Sequence, residues 1–363
     1  MSTKIIKSLL KRTLFKAKKG KKAGFTILEL LVAIVISTFV ILALIDMITD
    51  LLQSERREYG RSETQREMQM AMDFIVNDLR EAAYVYTNEQ INNARTIGGV
   101  GITSLRANLP FNTKYEPILV FWKPEQINDT SLNSLNCDNF GSANADPVNP
   151  KRQECDQLKI RRRAYSLVVY LQVRNSDDNP DNSNRWKGIS RIMRYQLYKY
   201  PQNKPDSNLT KSDGYTDPTE NSVSFASWPF DSSGVKISSG NINTSSTAVL
   251  VDFLDYPDRT SPGADPRDNL TVAPSQCPTE TNSDGTPIYK AIPPQNNPNG
   301  FTNPSFMACV RSASNLSGDV SNQDIVLFLR GNPTGKGGIK VAPLLAIKTQ
   351  AVARGVIDKK PAQ

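Results

Sequence analysis

The feature that most constrains this chain is an apolar segment near its N-terminus that contains one carboxylate. Residues 30–45 carry no charged side chain, and the wider run 25–45 is 21 residues long. A helix of that length crosses the hydrocarbon core of a bilayer. Glu29 lies inside this run, five residues after Gly24. Because a charged side chain is costly in lipid, the pattern predicts a membrane helix over 25–45 with a functional carboxylate near its start.

The segment that precedes this helix is strongly basic. Residues 1–24 contain nine Lys or Arg and no Asp or Glu, and such a flank keeps the N-terminus in the cytoplasm. A conventional secretory signal is cut after its apolar core. Here the small residue Gly24 comes before the core. We therefore predict a leader, residues 1–24, that is removed by a cut after Gly24, so that the apolar helix is retained as an anchor.

The net charge of the chain belongs mostly to this leader. The full chain has 44 basic and 36 acidic residues, a net charge of +8. Removing the nine basic residues of the leader leaves 35 basic against 36 acidic residues, a balance of −1. The mature chain is then nearly neutral, so binding of nucleic acid is not expected.

The residue composition excludes several kinds of active site. The chain has no histidine, so a Ser-His-Asp or Cys-His site and a histidine-ligated metal site are excluded. No other catalytic constellation stands out. The sequence predicts no catalytic residue, no cofactor and no metal.

The cysteines lie beyond the apolar segment, on the side that is exported. An even number of cysteines in an exported domain indicates disulfides. Four cysteines allow three pairings, and reduced buried thiols are the alternative. We favour the pairing that closes two short Asn- and Pro-rich loops. The pairs are Cys137–Cys155 and Cys277–Cys309.

The helix is expected to continue beyond the membrane, over residues 46–85. No Gly or Pro interrupts 26–59, and Gly60 is the first residue that weakens the helix. Residues 54–66 are polar on every side, which predicts exposure. The apolar positions that follow recur at spacings of 4, 3, 4 and 3, which indicates one face packed on a core. They are Met68, Met72, Ile75, Leu79 and Ala82.

The remaining residues, 86–363, predict a β-rich head. The strand candidates are Ile118–Trp122, Tyr165–Val173, Ile189–Tyr200, Ala248–Leu254 and Asp324–Leu329. The second and third are separated by a turn-rich segment and predict a hairpin. Long stretches around 201–245 and 256–305 are rich in Asn, Ser and Pro and are expected to be loops. The predicted fold class is α+β, with a long N-terminal helix packed on an antiparallel sheet.

The predicted hairpin lies in a basic region. Residues 151–199 contain twelve Lys or Arg against five Asp or Glu. They could contact an anionic polysaccharide, DNA or an acidic partner subunit, although charges on a solvated strand are the more ordinary explanation. The residues are Lys159, Arg161, Arg162, Arg163, Arg185, Lys187, Arg191, Arg194 and Lys199. Asp177–Asn182 lacks the Gly and distal Glu of a calcium loop, so we predict a turn there.

The N-terminal residues resemble the signature of type IV prepilins. The resemblance covers roughly residues 18–50 and rests on the basic leader, Gly24, Phe25, Glu29 and the apolar helix, within the sequence GFTILELLVAIVIS. It implies that a membrane aspartyl peptidase cuts between Gly24 and Phe25 and methylates the Phe25 amine. It also implies that Glu29 pairs with the Phe25 amine of a neighbouring subunit during filament assembly.

The resemblance further implies the partners and location of the chain. The partners are the prepilin peptidase and methylase, other pilin or pseudopilin subunits and an inner-membrane assembly platform. The precursor would cross the inner membrane once, with a cytoplasmic N-terminus and a periplasmic head, and then enter a pilus or pseudopilus. Such a subunit is not an enzyme.

Beyond the signature, the head resembles known subunits only in outline. Its size, its disulfides and the helix end MDFIVNDLREA are similar to the large minor pilins and pseudopilins of the PilW or J-type class. With Val326–Asn332 it is also similar to the cyanobacterial pseudopilins of hormogonium polysaccharide secretion. A different class of function is a membrane-anchored adhesin that binds glycans through the basic hairpin.

Overall fold

A computed structural model describes most of the chain after the leader. The described residues are 24–145, 148–176, 185–220, 222–237, 240–244, 246–256, 277–294, 305–311, 322–339 and 344–354. The predicted leader, except for Gly24, and the predicted turn at Asp177–Asn182 lie outside them. The chain divides into two units, Met1–Glu55 and Arg56–Gln363.

Helix α1, Ile27–Arg80, is the first element and runs through 54 residues. The predicted apolar stripe is buried where α1 belongs to the second unit, and Ala71 and Val76 extend it. The helix ends at Arg80, five residues earlier than predicted. The backbone amide of Ala83 instead donates to the carbonyl oxygen of Trp122 (2.7 Å), because the chain joins the sheet there.

The second unit is built on one antiparallel sheet of nine strands, with a separate two-stranded hairpin. The strands are β1 Tyr84–Val85, β2 Arg95–Ile97, β3 Val100–Ile102, β4 Tyr115–Gln126, β5 Arg163–Arg174, β6 Ser190–Leu197, β7 Thr247–Leu254, β8 Tyr289–Ile292, β9 Phe306–Arg311, β10 Asn322–Gly331 and β11 Leu345–Arg354. In the large sheet the order is β1-β4-β5-β6-β7-β10-β9-β8, and β11 also pairs with β10. The α+β class is confirmed.

The predicted hairpin forms the centre of this sheet. β5 and β6 pair from Leu167–Leu197 to Arg174–Ser190, and β4 pairs with the other edge of β5. Their alternating apolar residues meet the buried stripe of α1 in one core. Five strands escaped prediction, β1, β2, β3, β9 and β11. A sixth, β8, lies within a segment that was expected to be loop.

The sheet has two parts that join over a short contact. Among the described residues, β7 and β10 share one strand pair, Leu254 with Gly331, while β10 pairs along its length with β9 and β11. The side-chain amide of Gln323 on β10 bonds to both the backbone nitrogen (2.8 Å) and oxygen (3.0 Å) of Val85. These bonds tie β1 to β10, and the sheet is therefore curled.

Three short helices lie outside the predicted pattern. They are α2 Asn88–Asn92, α3 Asp129–Ser134 and α4 Pro150–Arg161. Lys159 and Arg161 were predicted to lie in the basic region at the start of the hairpin. This is wrong, because both lie in the last turn of α4. Asn149 caps α4 by accepting a hydrogen bond from the Lys151 amide (3.0 Å), and Pro150 follows at the first helical position. Asn before Pro is a helix start signal.

Two disulfides are present, as predicted. Cys137–Cys155 joins a short 3-10 turn to α4, and Cys277–Cys309 joins a loop to β9. Each closes one of the two short loops. The first lies in a small core of its own, beside Leu132, Leu158 and Tyr200.

Helix α1 is not exposed on every side between residues 54 and 66, contrary to expectation. Gly60 and Thr64 are buried, because the segment that follows β10 lies against this part of the helix. A Cβ atom on Gly60 would lie 2.5 Å from the Ile339 side chain. Lys336 in the same segment forms a salt bridge with Glu67 (2.8 Å). Gly60 therefore permits the segment that contains Ile339 to lie close to α1 within the second unit.

Candidate functional site: the N-terminal segment

The N-terminal unit is a helix with no packed face. Every residue from Gly24 to Tyr59 is exposed, including the uncharged run Leu30–Ile45. Among the described residues, Ile27–Arg80 is the one helix long and apolar enough to cross a membrane. An apolar surface of this extent is unfavourable in water, so it requires lipid or other apolar helices around it.

The polar side chains inside this run are satisfied within the helix. The hydroxyl groups of Ser37 and Thr38 both donate to the carbonyl oxygen of Ile34, at 2.9 and 2.8 Å. Hydroxyl groups that bond back to their own helix remain paired when water is absent. The segment therefore brings no unpaired hydroxyl donor into lipid at these positions.

The helix begins with a capping box formed by Thr26 and Glu29. The backbone amide of Glu29 donates to the Thr26 hydroxyl (3.2 Å), and the backbone amide of Thr26 donates to the Glu29 carboxylate (3.1 Å). Each side chain satisfies a backbone donor that the first helical turn leaves unpaired. The Thr-x-x-Glu spacing is a recognised helix start signal, so this capping box could have been predicted from the sequence.

Glu29 therefore has a local role besides the expected intersubunit pairing. The carboxylate of Glu29 is exposed and also accepts a hydrogen bond from the Thr26 hydroxyl (3.2 Å). It is held beside the start of the helix, four residues after Phe25. Because it is exposed, an external cation could reach it.

Gly24 and Phe25 are open to an external enzyme. Phe25 is 83 % exposed, and a Cβ atom placed on Gly24 would have no atom within 4 Å. The chain around Gly24 therefore does not itself require glycine. If glycine is needed at this position, the requirement comes from the enzyme that cuts there.

Several side chains of the basic region of the head have partners inside the molecule. Arg191, Arg194 and Lys199 were expected on a strand surface, but Arg191 and Lys199 are buried and Arg194 is half-buried. Arg191 donates to the side-chain oxygen of Asn175 (2.7 Å). Lys199 forms salt bridges with three carboxylates, which are Glu154 (2.8 Å), Asp217 (2.8 Å) and Glu220 (3.0 Å). These three side chains therefore do not form a binding surface.

Arg194 belongs to a buried ion network that joins α1 to the sheet. Asp78 on α1 accepts hydrogen bonds from Lys123 (2.9 Å), Tyr170 (2.7 Å) and Arg194 (2.8 Å), one from each of β4, β5 and β6. Burial raises the pKa of Asp78, but the bonds from Arg194 and Tyr170 outweigh it, and the net pKa is lowered. Asp78 was not among the residues predicted from the sequence. Its position beside the apolar stripe of the helix was the one signal that could have identified it.

Part of the basic region is exposed, at Arg185 and Lys187 and at the junction of α4 with β5. Lys159, Arg161 and Arg163 are exposed where α4 meets β5, and Ile160 between them is 81 % exposed. Arg162 is exposed as well, but it forms a salt bridge with Asp129 (2.7 Å).

Within the described ranges, no group of three or more Cys, Asp or Glu side chains is arranged to hold a metal. Asp78 and Asp217 are engaged by lysine or arginine, as is the buried Asp255, which forms a salt bridge with Arg330 (2.7 Å). These buried acids thus serve the packing of the head.

One comparison with known proteins gives a match. Residues 19–45 match the model of the prokaryotic N-terminal methylation motif, which contains Gly24, Phe25, Glu29 and the uncharged run. No curated protein and no solved structure matches the chain. The chain thus carries a prokaryotic N-terminal methylation motif on an exposed, membrane-length apolar helix, which indicates a type IV pilin-like precursor.

Proposed function

We propose that this chain is a minor pilin or pseudopilin, a structural subunit of a type IV pilus or a secretion pseudopilus. The observation that carries the proposal is the methylation motif at residues 19–45, which includes the start of a helix that is exposed on every side as far as Tyr59. The large loop-rich head supports a minor subunit, because a bulky head is poorly suited to close repetition in a filament.

In this proposal the leader, residues 1–24, is removed first. A membrane peptidase on the cytoplasmic face cuts the exposed Gly24–Phe25 bond, and the new Phe25 amine is methylated. Residues 25–45 hold the precursor in the inner membrane, and the head lies in the periplasm, where its two disulfides are stable. The peptidase, an assembly platform and other pilin-like subunits are the proposed partners.

Assembly then depends on Glu29. A carboxylate and an ammonium group are each costly in lipid, but together they neutralise one another. Pairing of Glu29 with the Phe25 amine of a neighbouring subunit would therefore favour one register as subunits leave the membrane. The exposed apolar helix would exchange lipid for the helices of other subunits.

Replacing Gly24 by Val tests the proposed cut. A branched side chain at the scissile bond should block the peptidase, so Gly24→Val should accumulate as a full-length precursor in the membrane. The matched control is Gly20→Val, which makes the same change four residues upstream and should be processed normally. Immunoblots of membrane fractions separate the two forms by size. Normal processing of Gly24→Val would count against this cut site.

A second function is supported by the exposed basic segment where α4 meets β5. Lys159, Arg161 and Arg163 could hold an anionic polysaccharide, as an adhesin would. An adhesin that is only anchored in the membrane needs no cut at Gly24. The state of the N-terminus therefore separates the two functions.

A further inference from the structure

A cleft of about 550 Å³ opens beside α1 in the second unit. It is lined by α1, by residues 249–253 of β7 and by residues 185–187. Met70 and Phe74 on α1 remain 53 % and 45 % exposed, although the neighbouring stripe of the same helix is buried. Two large apolar side chains left open at the wall of a cleft indicate a surface that another molecule covers.

β7, which lines one side of this cleft, has an open strand edge. β7 pairs with β6 along one edge. On the other edge its one described strand pair is Leu254 with Gly331, and the Asn332 amide donates to the Phe253 carbonyl oxygen (2.8 Å). From Thr247 to Asp252 this edge has no strand partner among the described residues. An open edge is a template for an added strand.

The charges at the cleft favour an acidic ligand. Arg185 and Lys187 are exposed, and no described residue accepts a hydrogen bond from either side chain. The acids nearby already have partners. Asp252 accepts from the backbone amide of Lys187 (3.0 Å), and Glu67 forms a salt bridge with Lys336 (2.8 Å).

Three aromatic rings of the cleft are held in place by cations. Each ring has a guanidinium or ammonium group over it, and of these cations Arg194 and Lys336 are already paired with Asp78 and Glu67. The distances from cation to ring centre are 5.7 Å for Arg194 and Phe74, 5.7 Å for Arg191 and Trp186, and 5.1 Å for Lys336 and Phe253.

We propose that this cleft binds an extended acidic segment of a partner protein, which adds as a strand to the open edge of β7. Its apolar side chains would pack on Met70 and Phe74, and its carboxylates would pair with Arg185 and Lys187. The edge 247–252 would accommodate about six residues, or about 20 Å of extended chain. Strand addition supplies affinity through the backbone, and the cationic wall selects acidic sequences. This site does not depend on processing at Gly24.

A displayed library of random octapeptides tests the proposal. Full-length protein in nanodiscs is the bait, and the double variant Arg185→Glu/Lys187→Glu is the counter-selection. Lys159→Glu/Arg161→Glu is the matched control, because it reverses two exposed cations of α4. We expect enriched peptides that combine Asp or Glu with apolar residues at alternate positions. Synthetic copies should bind the double variant roughly tenfold more weakly or worse, and the control like the wild type.

Two further measurements test the mode of binding. Met70→Glu should also reduce binding, since it places a carboxylate on the apolar wall. Methylation of alternate peptide backbone nitrogens should abolish it, because an added strand needs those donors. The proposal would be overturned if the enriched peptides bound the wild type and the double variant equally. It would also be overturned if counter-selection against the double variant left no enriched peptide. A uronic acid oligosaccharide that binds through Arg185 and Lys187 while no peptide does would overturn it as well.

Discussion

At the scale of single residues, Glu29 has two uses that depend on its charge differently. In the helix, its carboxylate accepts a hydrogen bond from the Thr26 backbone amide, and the neutral side chain of Gln does the same in other capping boxes. In the proposed filament it neutralises an ammonium group, which requires a negative charge. One substitution can therefore separate helix capping from assembly.

Replacing Glu29 by Gln should give a subunit that is processed but does not enter filaments. The capping box is kept, while the charge that would pair with the Phe25 amine is lost. The measurement is the amount of subunit in sheared filaments relative to membranes. The control Glu55→Ala removes an exposed acid from the same helix and should assemble normally. If Glu29→Gln assembles like the wild type, pairing of charges at Glu29 is not required.

Asp78 is the residue on which the joint between α1 and the sheet depends most. Replacing Asp78 by Asn should lower the free energy of unfolding by about 1.5 to 3 kcal/mol, since half-buried Arg194 loses its counterion while Lys123 keeps its salt bridges with Glu81 and Glu125. Thermal unfolding of the full chain in detergent measures this. The control Asp73→Asn changes an exposed acid of α1 and should have little effect. Equal unfolding of both variants would show that the network is dispensable.

The same network predicts a dependence on acid. The folded pKa of Asp78 is lowered, so the stabilisation is complete above the ordinary value of 3.8 and is lost as the pH falls through the folded value. The free energy of unfolding of the wild type should therefore fall below pH 3.8, while that of Asp78→Asn should fall less over the same range.

At the scale of elements, α1 and β10 approach one another closely. A Cβ atom on Gly331 would lie 2.3 Å from Met68 Sδ and 3.2 Å from Thr64 Cγ2. Met68 is fully buried, so its side chain has little freedom to move aside. Glycine at the end of β10 therefore sets how close the helix comes to the strand.

Replacing Gly331 by Ala should lower the free energy of unfolding by about 1 to 3 kcal/mol, the usual cost of overpacking a core. Gly101→Ala is the control, because a Cβ atom there meets nothing within 4 Å. Thermal unfolding of the two variants gives the comparison. A Gly331→Ala variant as stable as the wild type would mean that the helix and strand can separate without loss.

Elements with a strong periodic pattern were predictable, and those fixed by tertiary contacts were not. The apolar stripe of α1 and the β5–β6 hairpin have clear periods of 3.6 and 2. β8 and β9 are short, and the large apolar residues of β11 do not alternate regularly with polar residues. They are Leu345, Ile347 and Val352. The end of α1 is set by the sheet and not by a stop signal. Gly24, Phe25 and Glu29 were recognisable from residue types and spacing, whereas Asp78 requires three strands brought together by the fold.

At the scale of the whole molecule, charge and exposed apolar surface are unevenly distributed along the chain. Nine of the 44 basic residues lie in the proposed leader, and several basic side chains of the head form salt bridges with acids. The exposed apolar surface is concentrated in the first half of α1. Such a molecule needs a membrane or other subunits around its helix, and it gives little basis for nucleic-acid binding.

The central claim is that the chain is cut after Gly24 and then assembled through its new N-terminus. Mass spectrometry of the N-terminal peptide, from protein isolated from cell membranes, tests it most directly. We predict a chain that begins at Phe25 and carries one methyl group on its amine. A chain that still begins at Met1, or that begins after Ile45, would contradict the account.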